Sequence, residues 1–191
     1  MLDTREKLSP VSVALHWIVG LTMIGMVFFG LWLADLPKGY ANKAELTGLH
    51  KSIGLIVLVV AAWRLWRRVR IGLPLHVGLY KVWEQVTAKG IHMFLLFATL
   101  ALPLSGIIWM VASARPIAVF GVTIIPQMLT EKNQAVASVF RGTHEIMGKL
   151  LLAAVALHIA GALKHHIVDR DGTLRRMLGV RVTPTSPSTP V

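Results

Sequence analysis

At 191 residues, 54% hydrophobic and only 15% charged, the chain is too apolar for a soluble domain of this size and reads as an integral membrane protein. It contains no cysteine, which excludes thiolate-ligated zinc, iron–sulfur clusters, disulfides and covalently attached c-type haem. Its formal charge of +11 would suggest nucleic acid in a soluble protein, but here the Lys and Arg residues cluster between apolar runs, so the charge belongs to the membrane faces and no nucleic-acid partner is expected.

Residues 1–10 are short and polar. The first apolar run, residues 11–36, is interrupted only by His16, Asp35 and small polar residues. It is long enough to cross roughly 30 Å of hydrocarbon and longer than a signal-peptide core, so it is expected to be a retained helix. After a loop over residues 38–47, residues 48–65 form a second span with His50 near its start, closed by a basic collar of Arg64, Arg67, Arg68 and Arg70. Residues 71–89 are an extramembrane connection in which Gly72 and Pro74 stop the helix. The third span, residues 90–114, has His92 at its start and Pro103 inside it, where a kink is expected. Residues 115–142 are read as the longest loop, with FGVTIIP at 120–126 and then a polar section with room for a short helix. The fourth span, residues 143–166, carries His144 near its start and His158 near its end.

The expected fold is therefore all-α, an integral-membrane antiparallel four-helix bundle over residues 1–182. The Pro/Ser/Thr-rich residues 183–191 are expected to be a disordered cytoplasmic tail. Thirteen Lys and Arg residues fall on the side of the N-terminus, the second connection and the C-terminus, against seven on the other (Lys38, Lys43, Lys51, Arg115, Lys132, Arg141 and Lys149). The positive-inside rule then places both termini in the cytoplasm. Trp17, Trp63, Trp66 and Trp109 lie near span ends, as interfacial anchors would.

Histidine is costly in a membrane helix and faces the bundle interior. His144 and His158 lie fourteen residues apart, which on an α-helix returns to nearly the same face after a rise of roughly 21 Å. No single metal ion bridges them, so as ligands they serve two centres. His16 and His158 lie near the cytoplasmic ends of their spans, whereas His50 and His144 open theirs from the outer side. Two depth-matched pairs result. Imidazole is the usual axial ligand of b-type haem, and a bundle core commonly holds one. A porphyrin needs bare backbone beside its ligands, and the chain offers Gly20, Gly54 and Gly148 four residues after His16, His50 and His144, with Ala162 four after His158. Any one such pair is better explained by helix packing, since glycine is common in membrane helices. Four sites in two matched pairs favour ligands. His92 shares the cytoplasmic depth and is read as a neighbour of that pair or part of a quinone site, while His76, His165 and His166 lie at or outside the interface, where His165 or His166 has reach to a haem propionate.

The LHW at 15–17, the His50/Gly54 spacing, RLWRR at 64–68, ALPLSG at 101–106, FGVTIIP, the His144-Glu145 pair with a histidine fourteen residues on, and HHIVDRDGTLRRML at 165–178 together resemble the bacterial cytochrome b561 family over nearly the whole chain except the tail. The resemblance implies four transmembrane helices, two haem b groups ligated by His16, His50, His144 and His158, a bacterial inner-membrane location and electron exchange with the quinone pool. One type within the family is a superoxide oxidase, which passes electrons from periplasmic superoxide to ubiquinone.

Propionates need countercharges in low dielectric, and Arg64 or Arg67 inside and Arg141 or Lys149 outside suit that role. Seven outer cations against Asp35, Glu45, Glu131 and Glu145 leave +3, which favours an anionic reductant and makes Lys149 and Arg141 the candidate residues for meeting it. Three functions compete: an oxidoreductase between superoxide or another periplasmic donor and quinone, a haem-bearing anchor for a separate dehydrogenase or hydrogenase subunit, and a metal or proton transporter. No Asp or Glu lies deep within a span, which disfavours the transporter.

Overall fold

The structure, a computed structural model, describes residues 3–75, 77–78 and 80–184. His76 and residues 185–191 of the tail lie outside the described residues. The elements are α1 (Pro10–Asp35), α2 (Lys43–Ile71), α3 (Val82–Ala112), β1 (Ile117–Val119), β2 (Val122–Ile125), α4 (Gln134–Ile167) and α5 (Thr173–Met177). The four long helices are each long and apolar enough to cross a membrane, as expected from the sequence.

These helices start and stop for local reasons. Ser9 Oγ accepts from Ser12 N–H at 3.2 Å, capping α1 just ahead of Pro10, whose fixed φ suits a first helical turn. Helix α2 runs to Ile71 and ends at Gly72, which takes a left-handed φ of 89°. Glu84 accepts from Lys81 N–H at 2.9 Å at the head of α3, so part of the expected connection before residue 90 is already helical. Asn133 Oδ1 accepts from Val136 N–H at 3.1 Å and starts α4 nine residues ahead of the expected span. The polar section is thus the first turns of α4 and no separate short helix.

FGVTIIP also differs from the expected loop. It forms most of a two-stranded antiparallel hairpin, with Val119 paired to Val122 across Phe120 and Gly121. Both turn residues have positive φ, 48° and 89°, the twist that a two-residue hairpin turn requires. Phe120 N–H donates to Ser52 Oγ at 3.0 Å, tying the turn to α2.

Two compact units make up the chain. The first draws on Met1–Ile18, Trp63–Leu96 and Ala153–Val191, the second on Val19–Ala62 and Phe97–Leu152. Each of the four long helices gives one segment to each unit. Few side chains are fully buried, and large apolar residues such as Leu21, Phe28, Val59, Phe97 and Leu157 are exposed. That is the pattern of helices solvated by lipid, where an outward apolar side chain costs nothing.

In the first unit the chain ends are fastened by polar contacts. Trp17 Nε1 donates to Met177 O at 2.8 Å, Arg176 Nη1 to Arg5 O at 3.0 Å, and Val182 N–H to Glu6 O at 2.9 Å. Trp17 is therefore bound inside the fold, whereas Trp63 and Trp66 are exposed as anchors should be. Tyr80 O–H donates to Asp171 at 2.5 Å, and burial together with that carboxylate pushes the Tyr80 hydroxyl up to about 12. His165 contacts Asp169 at 2.6 Å and packs on the Tyr80 ring.

Asp3 holds the N-terminal segment to α2. Its carboxylate accepts from Arg68 at 2.7 Å, from Ser9 N–H at 2.8 Å and from Ser12 Oγ at 2.8 Å. Burial alone would raise its pKa, but the Ser9 N–H and Arg68 bonds outweigh burial and lower it to about 2. A lowered carboxylate stabilises the fold above its unfolded pKa near 4 and loses that contribution as pH falls through about 2. Acid melts in detergent should therefore show an extra loss between about pH 4 and pH 2, on the order of 1–2 kcal/mol after allowance for screening. Asp3→Asn should lower the melting temperature near neutrality and flatten that acid limb. An unchanged limb in the variant would refute the assignment.

Candidate functional site

The first unit brings together His16 of α1 and His158 of α4, with ring centroids 6.1 Å apart. His92 of α3 sits edge-on to His158 at 5.2 Å, beside the pair, as its depth in the sequence suggested. Arg64 of α2 is half-buried in the same unit and has no acidic partner among the described residues. Arg67 is turned to Ser9 and Ser12 (3.3 and 3.4 Å), and Arg68 to Asp3.

The second unit brings together His50 of α2 and His144 of α4, with centroids 6.2 Å apart. Phe29 lies 5.6 Å from the His50 ring and Trp109 lies 6.2 Å from the His144 ring. His144 Nδ1–H donates to Leu102 O at 2.9 Å, with Ser105 Oγ 3.1 Å away. A carbonyl only accepts, so the proton sits on Nδ1 and Nε2 keeps its lone pair. His50 Nδ1 is buried with no hydrogen-bond partner among the described residues.

Metal–imidazole bonds of about 2.0–2.1 Å place two imidazoles on opposite sides of one metal with centroids roughly 6 Å apart. Both pairs have that separation. Among the described residues no three His, Cys, Asp or Glu side chains converge on one metal ion; the imidazoles that meet at that separation are these two pairs, the donor set that haem b would take. The residues fit the group.

Among the described residues a Cβ added at Gly20 or Gly148 would meet nothing within 4 Å, and one at Gly54 only the tip of Met26 at 3.8 Å. Two other glycines pack against the rings themselves: a Cβ at Gly30 would lie 3.2 Å from His50 Cε1, and one at Gly106 3.2 Å from His144 Cε1. Neither follows the four-residue spacing, because each faces a histidine of a different helix. Sequence reading missed both for that reason, although Gly106 lies in the ALPLSG motif. Ser105, in the same motif, carried no sign of its contact with α4. Arg141 is exposed, paired with Glu145 at 2.8 Å and placed over Trp109 at 5.8 Å, the indole whose ring lies 6.2 Å from that of His144. Lys149 is exposed, with no partner among the described residues.

Four membrane-length helices, three of which (α1, α2 and α4) bring histidines together in facing pairs, define a class, the helical electron-carrying membrane proteins. Residues 7–180 match the family model described as prokaryotic cytochrome b561. The chain belongs to that family. It is 32% identical over 179 residues to cytochrome b561 homolog 2 of Escherichia coli (strain K12), covering 93% of this chain and 94% of that one. It is 29% identical to cytochrome b561 homolog 1 of the same organism, over 91% and 97% of the two chains. A protein of Yersinia pestis named probable superoxide oxidase CybB is 27% identical over 91% and 97%. The chain is thus a multi-pass bacterial membrane protein of electron transfer in a family that binds haem b.

Proposed function

We propose that the chain carries two haem b groups, one between His16 and His158 and one between His50 and His144, and acts as a superoxide:ubiquinone oxidoreductase of the inner membrane with both termini in the cytoplasm. The observation that carries this reading is the pair of facing histidine couples at 6.1 and 6.2 Å. Held by these histidines, haem b would supply one-electron transfer. Two superoxide ions then yield two oxygen molecules and two electrons, which with two protons convert one quinone to quinol. The chain's residues hold and bias the site. Arg64, without an acidic partner among the described residues, suits a propionate better than Arg67, which is turned to the serines. On the outer face Lys149 supplies an uncommitted cation, whereas Glu145 offsets Arg141. The relative named as a probable superoxide oxidase supports this choice of donor.

Purified protein should release about two extractable haems per chain and show a b-type difference spectrum. Haem reduction by pulsed superoxide, with a soluble ubiquinone analogue as acceptor, should outrun spontaneous dismutation and slow with ionic strength as the field is screened beyond roughly 8–10 Å. Lys149→Gln should slow it several-fold, and more than Arg141→Gln or Lys38→Gln. No haem defeats the whole reading. Haem without superoxide oxidation, together with co-purification of a soluble subunit, would make the chain a membrane anchor.

A further inference from the structure

We infer that Ser105 is a positioning residue that sets the electron affinity of the centre ligated by His144, an inference that rests on the bis-histidine reading of the second unit. Ser105 is 4% exposed on α3 and brings no charge. Its hydroxyl donates to Leu102 O at 2.6 Å. With its single proton spent there, it turns lone pairs toward His144 Nδ1 at 3.1 Å. The Nδ1–H therefore faces two acceptors, Leu102 O at 2.9 Å and Ser105 Oγ. A hydroxyl that is itself donating becomes a better acceptor by polarisation.

Two consequences follow from this triangle. The proton is held on Nδ1, which leaves Nε2 for iron. The ring also gains electron density, which makes Nε2 the more basic ligand. A more basic ligand favours oxidised over reduced iron, so Ser105 lowers the potential of that centre. Gly106 permits the arrangement, because a Cβ there would stand 3.2–3.3 Å from the ring that Ser105 and Leu102 hold. His50 has no counterpart, since its Nδ1 is buried without a partner among the described residues. The two ligands of the pair are unequal, and the serine acts on one of them.

The test is a spectroelectrochemical titration of the full, haem-loaded chain in detergent, with its two components followed separately. Ser105→Ala should raise the midpoint of the component that His144→Ala removes. At fixed ambient potential its reduced-to-oxidised ratio should rise about threefold, about 28 mV at 59 mV per decade for one electron, while the other component stays in place as an internal standard. Ser105→Thr restores a hydroxyl and should return the midpoint toward wild type. Ser105→Cys, close in size and a weaker acceptor, should give a smaller upward shift, and it is the variant to read if alanine fails to load haem. No shift, a downward shift, or equal movement of both components overturns the inference. Retention of both components in His144→Ala would instead overturn the bis-histidine reading on which it rests.

Discussion

His50→Ala and His144→Ala should each abolish one and the same spectral component, and His16→Ala and His158→Ala the other, so that every single variant retains about half the haem of wild type. The partners are dictated by geometry: His50 faces His144 at 6.2 Å and His16 faces His158 at 6.1 Å, each couple within its own unit. With haem b bound there, loss of either imidazole would remove one of its two histidine ligands, and a bis-histidine spectrum would not survive that. His92 offers a sharp control. Its ring is closer to His158 than the His16 ring is, 5.2 Å against 6.1 Å. That distance is an edge contact, shorter than the roughly 6 Å that separates two imidazoles on opposite sides of one metal. His92→Ala should therefore keep both components and disturb only the one it touches. If His92→Ala removed a component that His16→Ala left intact, or if His16→Ala and His50→Ala removed the same one, the pairing would be wrong.

Much of this arrangement was legible in the chain because lipid imposes a simple rule: a spanning segment must satisfy its own backbone and can be long and apolar all round. Four such runs, each with histidine near an end, already define which residues have the chance to meet. What remained hidden depended on partners distant in sequence. The early start of α4 rests on Asn133, a cap inside a stretch of polar residues with no apolar period to announce it. The hairpin rests on Phe120 in a left-handed conformation that an aromatic residue rarely adopts, held by the buried hydroxyl of Ser52. Arg141 is a cation beside His144 in sequence, but Glu145 and Trp109, the latter distant in sequence, engage it first. Trp17 looked like a lipid anchor, yet its indole N–H serves the backbone of Met177.

Glycine substitutions should separate the two roles that bare backbone can play here. Gly30 and Gly106 are required by the polypeptide itself. A Cβ at either would stand 3.2 Å from a histidine ring, tighter than ordinary van der Waals contact, so Ala should perturb the second-unit component and Leu should abolish it. Gly20 and Gly148 differ, because among the described residues a Cβ at either meets no atom within 4 Å beyond its own stretch of helix. If packing between polypeptide segments were all that mattered, Gly20→Leu and Gly148→Leu would be tolerated with haem content unchanged. A flat macrocycle beside His16 and His144 predicts the reverse: Gly20→Leu should lose the component that His16→Ala removes and Gly148→Leu the component that His144→Ala removes, each removing about half the haem while the chain still folds and inserts. Gly25, also without a neighbour within 4 Å but not spaced from any proposed ligand, is the matched control and should accept Leu with both haems retained. Haem extraction together with difference spectra reads all five positions in one series. Full haem content in both Gly20→Leu and Gly148→Leu would mean that the space beside the ligands is not where the macrocycle lies, and the four-residue His–Gly spacing would then be a packing feature of the helices alone.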